Sequence, residues 1–185
     1  RNEQNKDYEN LHSIKILKMR INQGHARCIA TGLKYIFEKE DFDYVIPMDG
    51  DGEDRPEEIN ELINQIQNSN NQPIVGERIK RSENLIFQIC YKLHKLITYT
   101  FAGKLIKFGN FTCLPKSTVE KLINEKATWN SFSGSLAKIE KNLVSVPSMR
   151  GTRYFGPSKM SFYNLIKHSL SIISVFRKNF LLRSA

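Results

Sequence analysis

The sequence predicts an α/β domain: a mostly parallel, doubly wound sheet with helices on both faces. Three observations predict it. Short apolar stretches alternate with longer ones whose apolar residues recur at helical spacing. "DYVIPMD" (residues 43–49) is nearly all apolar, as expected of a parallel strand covered by helices on both sides. The links between successive elements are short, so strand–helix–strand units close as right-handed parallel crossovers. At 185 residues, 40% hydrophobic and 25% charged, the chain can fold as one domain and bury a sizeable core.

The elements follow in order. "SIKILKM" (13–19) alternates Ile14, Ile16 and Leu17 with polar residues and reads as a short strand. Asn22 and Gly24 make a turn, after which Cys28, Ile29, Leu33, Ile36 and Phe37 recur as a helix. "DYVIPMD" is the second strand; Pro47 lacks a ladder donor and marks its end. "RPEEINELINQIQNSN" (55–70) is a helix, with Pro56 in its first turn, Glu57 and Glu58 complementing the amino-terminal dipole, and Ile59, Leu62, Ile63 and Ile66 as its stripe. "QPIVGERI" (72–79) is a third strand. A helix over about 83–103 carries Leu85, Ile86, Ile89, Leu93, Leu96 and Ile97. "FGNFTCLPKSTVEKLI" (108–123) reads as a loop, a short strand and a helix from near Ser117.

Residues 1–157 form the α/β domain in this reading, and 158–185 a separate amphipathic segment. In that segment Phe162, Leu165, Ile166, Ile172, Ile173, Phe176 and Phe180 fall broadly on one side, while Lys167, His168, Arg177 and Lys178 interrupt it. No run reaches the ~18 apolar residues of a transmembrane helix. A basic amphipathic helix can instead lie in a membrane interface, or pack on its own domain.

Charge is placed unevenly. The net charge is +9, and from Lys138 to Ala185 nine Lys and Arg residues face one acid, Glu140. Such polarity points to phosphates, nucleic acid or a lipid headgroup surface on one side of the molecule, with a solvated basic face as the alternative. Cys28, Cys90 and Cys113 lie far apart without CxxC spacing, which argues against a disulfide framework or a zinc site and fits a reducing compartment. No apolar run follows Arg1, so no signal peptide is expected; the polar opening without Met reads as the start of a fragment.

Against this basic background stands "MDGDGEDRPEE" (48–58). A calcium loop counted from Asp49 would need Gly at its sixth position and Glu at its twelfth; the chain has Asp54 and Asn60, with Pro56 inside the loop. That reading fails at both discriminating positions. The other reading puts Asp-x-Asp at the carboxyl end of a buried strand, where open α/β sheets bind ligands. Two carboxylates spaced this way can share one Mg²⁺ or Mn²⁺ that substrate phosphates complete. Alone the motif is weak, because acids at strand ends are often helix caps.

Its context makes it specific. "MDGDGEDRPEEI" resembles the "DADLQDPPE" stretch of family 2 glycosyltransferases, in particular the polyprenyl-phosphate sugar transferases. "NQGHARCIATGL" resembles that group's "NFGHQAALLAGL", matching at Asn22, Gly24, His25, Gly32 and Leu33. "GERIKR" is similar to "GVRKKR", "AGKLIKFGNFTCLPKSTVEKL" to the "GDFRLMDRKVVDAL" region, and "RYFGPSKMSFYNLIKHSLSIISVF" to "RYAGETKYSLRKLLRLALDGIFSF". Five motifs in one order cover about residues 14–176.

The resemblance implies a GT-A (Rossmann-like) fold and inverting transfer of a sugar from a nucleotide-sugar to a polyprenyl phosphate, undecaprenyl or dolichyl, at the cytoplasmic face of a membrane. By motif match Asp49 and Asp51 are the catalytic pair, with Asn22, Gly24 and Gly50 joining them around the donor, and Glu53 completes the metal ligands where the family has Gln. Phosphate and acceptor contacts fall to Arg78, Arg81, Asn110, Arg150, Arg153, Ser158 and Lys159. Gly52 replaces the family's Leu, Arg55 its first Pro, Asn110 an Asp and Thr112 an Arg. The chemistry agrees: an ionised phosphate acceptor needs no strong base, only a metal and cations that bring two anions together. Arg suits bidentate phosphate contacts and Lys a point contact.

His25 and His168 read as structural rather than catalytic, and Trp129 as flanking the acceptor or lying in the core. Family members begin with a first strand and a "DDGS"-type turn upstream of the matched stretch, so these 185 residues alone are expected to be inactive. Transfer to a glycan or other soluble acceptor is the alternative function, and self-association is left open. A nucleic-acid partner is not expected, because no binding motif accompanies the high pI and the acidic edge would repel phosphates.

Overall fold

The structure is a computed structural model that describes residues 11–78, 106–156, 170–172 and 174–176. The expected helix over 83–103, Cys90, Arg81, Ser158, Lys159 and most of the 158–185 segment lie outside the described residues.

Among the described residues the following elements succeed one another: α1 (His25–Lys39), β1 (Tyr44–Val45), a 3-10 turn (Pro56–Glu58), α2 (Ile59–Asn68), β2 (Ile74–Arg78), β3 (Phe108–Pro115), α3 (Lys116–Asn124), a second 3-10 turn (Lys126–Trp129), α4 (Phe132–Ile139) and β4 (Val144–Ser148). Pro56 starts the first 3-10 turn and Glu57 and Glu58 follow in it, as the sequence predicts. Ser131 caps α4 by accepting a hydrogen bond from the Gly134 amide at 3.2 Å.

The four strands among the described residues lie in the order β1-β3-β2-β4. This corrects the mostly parallel sheet. β3 is antiparallel to both β1 and β2, and only β2 and β4 pair in parallel. β1, β2 and β4 therefore do run the same way, as the crossover rule requires, but β3 is inserted between the first two with the opposite polarity. The reading of 108–115 as a loop and a short strand is corrected with it: β3 spans all eight residues from Phe108. The two-residue alternation of a strand reads the same in either direction, so the sequence does not assign β3 to either sense.

Helices cover both faces. On one, Leu62 and Ile66 of α2 pack with Ile74, Phe111, Cys113 and Val146. On the other, Leu33 of α1, Val119 and Leu122 of α3, and Phe132 and Leu136 of α4 pack with Val45, Val75 and Leu114. The two-residue period of a strand splits β3 between these clusters, sending Phe111 and Cys113 one way and Leu114 the other. Each deeply buried Leu or Ile contributes about 1.5–3 kcal/mol of transfer free energy. Cys28, expected on the apolar stripe of α1, is exposed; Ala30 and Leu33 are that helix's buried residues.

The expected first strand over 13–19 is absent. Residues 11–19 take no regular secondary structure, and Ile14 and Ile16 are 76% and 89% exposed. Alternation alone does not make a strand; its backbone groups need a neighbouring ladder, and no described strand lies beside it. Part of the carboxyl-terminal segment is helical, and Ile172, Val175 and Phe176 are buried against Ala137 of α4. No helix among the described residues is long and apolar enough to cross a membrane.

Candidate active site

The antiparallel β3 determines what meets at the sheet edge. The carboxyl ends of β1, β2 and β4 and the amino end of β3 all lie there. β1 pairs Tyr44 with Pro115 and Val45 with Leu114. Continuing that register sets Asn110 opposite Asp49, and the Asn110 side-chain Nδ2 donates to Asp49 Oδ1 at 3.0 Å. The edge thus collects Asp49 after β1, Arg78 from β2, Asn110 from β3 and the segment after β4.

Residues 49–54 form a turn held by its own side chains. Asp54 Oδ2 accepts the Asp49 amide hydrogen at 2.8 Å, and Asp51 Oδ1 accepts that of Glu53 at 3.0 Å. The turn needs φ +91° at position 52, a conformation open to Gly52 because it lacks a Cβ. Tyr154 lies on this turn: a Cβ at Gly52 would come within 2.8 Å of its ring. Asp54 is only 4% exposed, with Arg78 Nη2 at 3.8 Å from Oδ1. Burial raises its carboxyl above the usual range, against the pull of the Asp49 amide and the Arg78 and Arg150 guanidiniums.

The basic segment following β4 folds back over this turn. The Gly151 amide donates to the Glu53 carbonyl at 2.9 Å, and that of Tyr154 to the Asp51 carbonyl at 2.8 Å. Arg153 reaches Asp51 Oδ2 at 2.9 Å and Glu53 Oε1 at 3.3 Å, and Arg150 pairs with Glu53 Oε2. Four carboxylates, Asp49, Asp51, Glu53 and Asp54, therefore face three guanidiniums, those of Arg78, Arg150 and Arg153. Asp51, Glu53 and Asp54 and the arginines expected around phosphates are, in this geometry, each other's partners, while Asp49 takes the Asn110 side chain.

Of the sequence-predicted residues, Asp49, Gly50, Asp51, Glu53, Arg78, Asn110, Arg150 and Arg153 come together at this edge. Gly50 is exposed at the turn, with open space where a Cβ would stand. Asn22 and Gly24 do not join it; Asn22 Oδ1 accepts from the Gly24 amide at 3.0 Å in an exposed turn before α1. Trp129 is 39% exposed, so it is not a core residue. An open cleft of about 410 Å³, lined by Glu77, Arg78, Ser145 and Pro147, adjoins the edge.

Two residues of the site escaped the sequence reading. Asp54 enters the sequence reading only as the residue that fails the calcium loop's sixth position, and Glu58 only as a complement to the helix dipole. Glu58 Oε2 accepts from the Ser148 hydroxyl at 2.7 Å, and Oε1 from the Met149 amide at 3.0 Å. No local pattern signals either contact, because both depend on where β3 and β4 lie.

The donor set suits a hard cation only in part. Among the described residues no three His, Cys, Asp or Glu side chains converge to hold a metal unaided. Mg²⁺ commonly takes one or two carboxylates and completes its shell with water and substrate phosphates. Asp49 and Asp51 could supply that number, but Asp51 Oδ1 already accepts the Glu53 amide and its Oδ2 lies on Arg153, so a metal there would have to displace the guanidinium. Glu53 has both oxygens on guanidiniums, and a metal there would have to displace them.

The model of glycosyl transferase family 2 matches residues 2–129. The chain belongs to that family. It is a glycosyltransferase, with the nucleotide-sugar donor and separate acceptor that family 2 implies, and its mixed α/β sheet is compatible with a GT-A fold. A search of curated proteins finds no match. The matched span holds the acidic turn, β2 and β3, and ends before β4 and the basic segment, so this family 2 transferase draws two of the three arginines of its charged edge, Arg150 and Arg153, from outside it.

Proposed function

We propose that this glycosyltransferase moves a sugar, with inversion, from a nucleotide-sugar to a polyprenyl phosphate (undecaprenyl or dolichyl) at the cytoplasmic face of a membrane. The observation that carries the reading is the segment after β4. It sets Arg150 and Arg153 on the acidic turn and leaves Met149, Tyr154 and Phe155 exposed beside them, Phe155 by 91%. Cations for a phosphate next to apolar and aromatic side chains for a hydrocarbon chain match the two halves of such an acceptor. Asp49 and Asp51 would hold a Mg²⁺ or Mn²⁺, whose charge stabilises the leaving diphosphate. Arg150 and Arg153 would exchange carboxylate partners for phosphate oxygens, anion for anion. Asn110 fixes the Asp49 carboxylate, and Arg78 offers a further cation at the same edge.

A glycan or other soluble acceptor is favoured by one observation: Ile172, Val175 and Phe176 are covered by the domain, which removes that much apolar face from a lipid surface. The deciding experiment incubates the full-length protein with Mg²⁺ or Mn²⁺, a panel of nucleotide-sugars, and undecaprenyl or dolichyl phosphate. Label should pass to the organic phase, and Asp51→Asn should abolish transfer. Label that reaches only a soluble glycan overturns the lipid acceptor; activity retained by Asp51→Asn overturns the metal assignment. Partition to anionic liposomes, lost when Arg177 and Lys178 become Ala, tests the membrane surface separately.

A further inference from the structure

We infer that Glu58 is a positioning residue: its carboxylate clamps the end of β4 to the start of α2 and so holds Arg150 and Arg153 on the acidic turn. The inference rests on the reading that these arginines serve the transfer. Glu58 lies nine residues beyond Asp49, in the first turn after the acidic loop, yet its two oxygens bond residues 90 and 91 positions away. It takes the last hydroxyl of β4, Ser148, and the next amide, Met149, just before the chain turns back over residues 51–54. Its side chain is 15% exposed, and Arg55 Nη1 stands 3.9 Å away.

The geometry explains why two separate bonds matter. Among the described residues β4 is the edge strand, and its ladder with β2 ends at Ser148. Past that point the sheet no longer directs the chain. A single hydrogen bond would leave residue 149 free to swivel, whereas bonds to consecutive residues fix both position and direction. Arg150 follows at once. An edge strand held only on one side is where such direction would otherwise be lost. Misplacement of a charged group by an ångström is enough to cost a large factor in rate.

Glu58→Ala removes both acceptors. Glu58→Gln keeps its shape and can still bond both partners, its carbonyl oxygen accepting from the Met149 amide and its NH₂ donating to the Ser148 hydroxyl. In the full-length protein, Glu58→Ala is expected to speed hydrogen exchange at the Gly151 and Tyr154 amides by about tenfold, the factor that one net hydrogen bond corresponds to. It should lower kcat/KM by about tenfold to a hundredfold, measured as nucleotide release. Glu58→Gln should restore both. Ile66→Val, a buried substitution in α2 away from the segment, should lower Tm without moving either. Arg153→Ala should cost much less in the Glu58→Ala background than in the native one, because the clamp acts through the arginines.

Unaltered exchange at Gly151 and Tyr154 overturns the clamp. Faster exchange with unaltered transfer overturns the positioning role, as does a Glu58→Gln variant as impaired as Glu58→Ala, which would assign the effect to charge. Factors for Glu58→Ala and Arg153→Ala that simply multiply overturn it too. Nucleotide release reads the reaction whichever acceptor is used, so failure of the lipid-acceptor reading leaves this test standing.

Discussion

Gly151→Ala is the sharpest probe of how the basic segment is seated. A Cβ at position 151 would collide with the Gly52 carbonyl oxygen and lie 3.2 Å from Arg55 Cγ. The first obstacle is backbone, held in a turn that Asp54 and Asp51 bond internally, so the segment must lift instead. Lifting breaks the Gly151–Glu53 and Tyr154–Asp51 backbone bonds, about 1 kcal/mol each. It also separates Arg150 and Arg153 from Asp51 and Glu53. Those guanidiniums are 30% and 25% exposed, so each adds no more than about 1 kcal/mol. The expected loss is therefore about 2–4 kcal/mol. It cannot be much larger, because the ladder of β4 with β2 ends at Ser148 and need not open.

For a chain of this size the loss lowers Tm by roughly 4–16 °C. Thermal melts and urea titrations measure it, and nucleotide release should fall in parallel. Gly52→Ala is the internal comparison. Its φ of +91° costs an L-residue about 1–2 kcal/mol, but the Tyr154 ring it meets is exposed and can swing aside. Gly52→Ala should thus lose stability while nucleotide release falls less than in Gly151→Ala, because Arg150 and Arg153 stay seated. A Gly151→Ala protein within about 0.5 kcal/mol of the native one, the scatter of ordinary surface changes, would refute the seating described here.

Three further outcomes follow. The raised pKa of Asp54 means the folded state holds its proton more tightly than the unfolded chain, so its contribution is complete below the ordinary value of 3.8 and is lost as pH rises through the folded value. Subtracting the Asp54→Asn stability curve from the native one between pH 3 and 7 should leave a difference that falls with pH; a rising difference contradicts the burial argument. Burial pushes the Cys113 thiol up to about 11, whereas Cys28 is exposed, so peptide mapping after brief iodoacetamide treatment should find Cys28 alkylated and Cys113 modified only in denaturant. Leu136→Ala, at a fully buried position of α4, should cost about 2–5 kcal/mol in urea unfolding without altering KM.

What could be read in advance was whatever is local. The Pro56 start, the stripe of Leu62 and Ile66 and the Asn22–Gly24 turn are written in neighbouring residues, and the acidic turn stood out against a basic chain. Direction and partnership were not legible. The alternation of β3 is the same whichever way it points, and its polarity decides that Asn110 meets Asp49. Ile14 and Ile16 alternate as a strand does, but alternation records a face, not a partner. Asp54 and Glu58 sit among acids that look alike in sequence. Only the packing of segments far along the chain buries one and gives the other its two hydrogen bonds.

The Asn110–Asp49 bond spans 61 residues and the Glu58–Ser148 bond 90. Contacts of such separation cannot form until β3 and β4 have both joined the sheet, since each closes a long loop at an entropic cost that only the completed ladders offset. The charged edge is thus assembled late in folding. Opening the segment after β4 requires far less than global unfolding, so on warming it is also released early. Catalytic competence should accordingly be lost at a lower temperature than helix content, and recovery of activity should lag recovery of secondary structure during refolding.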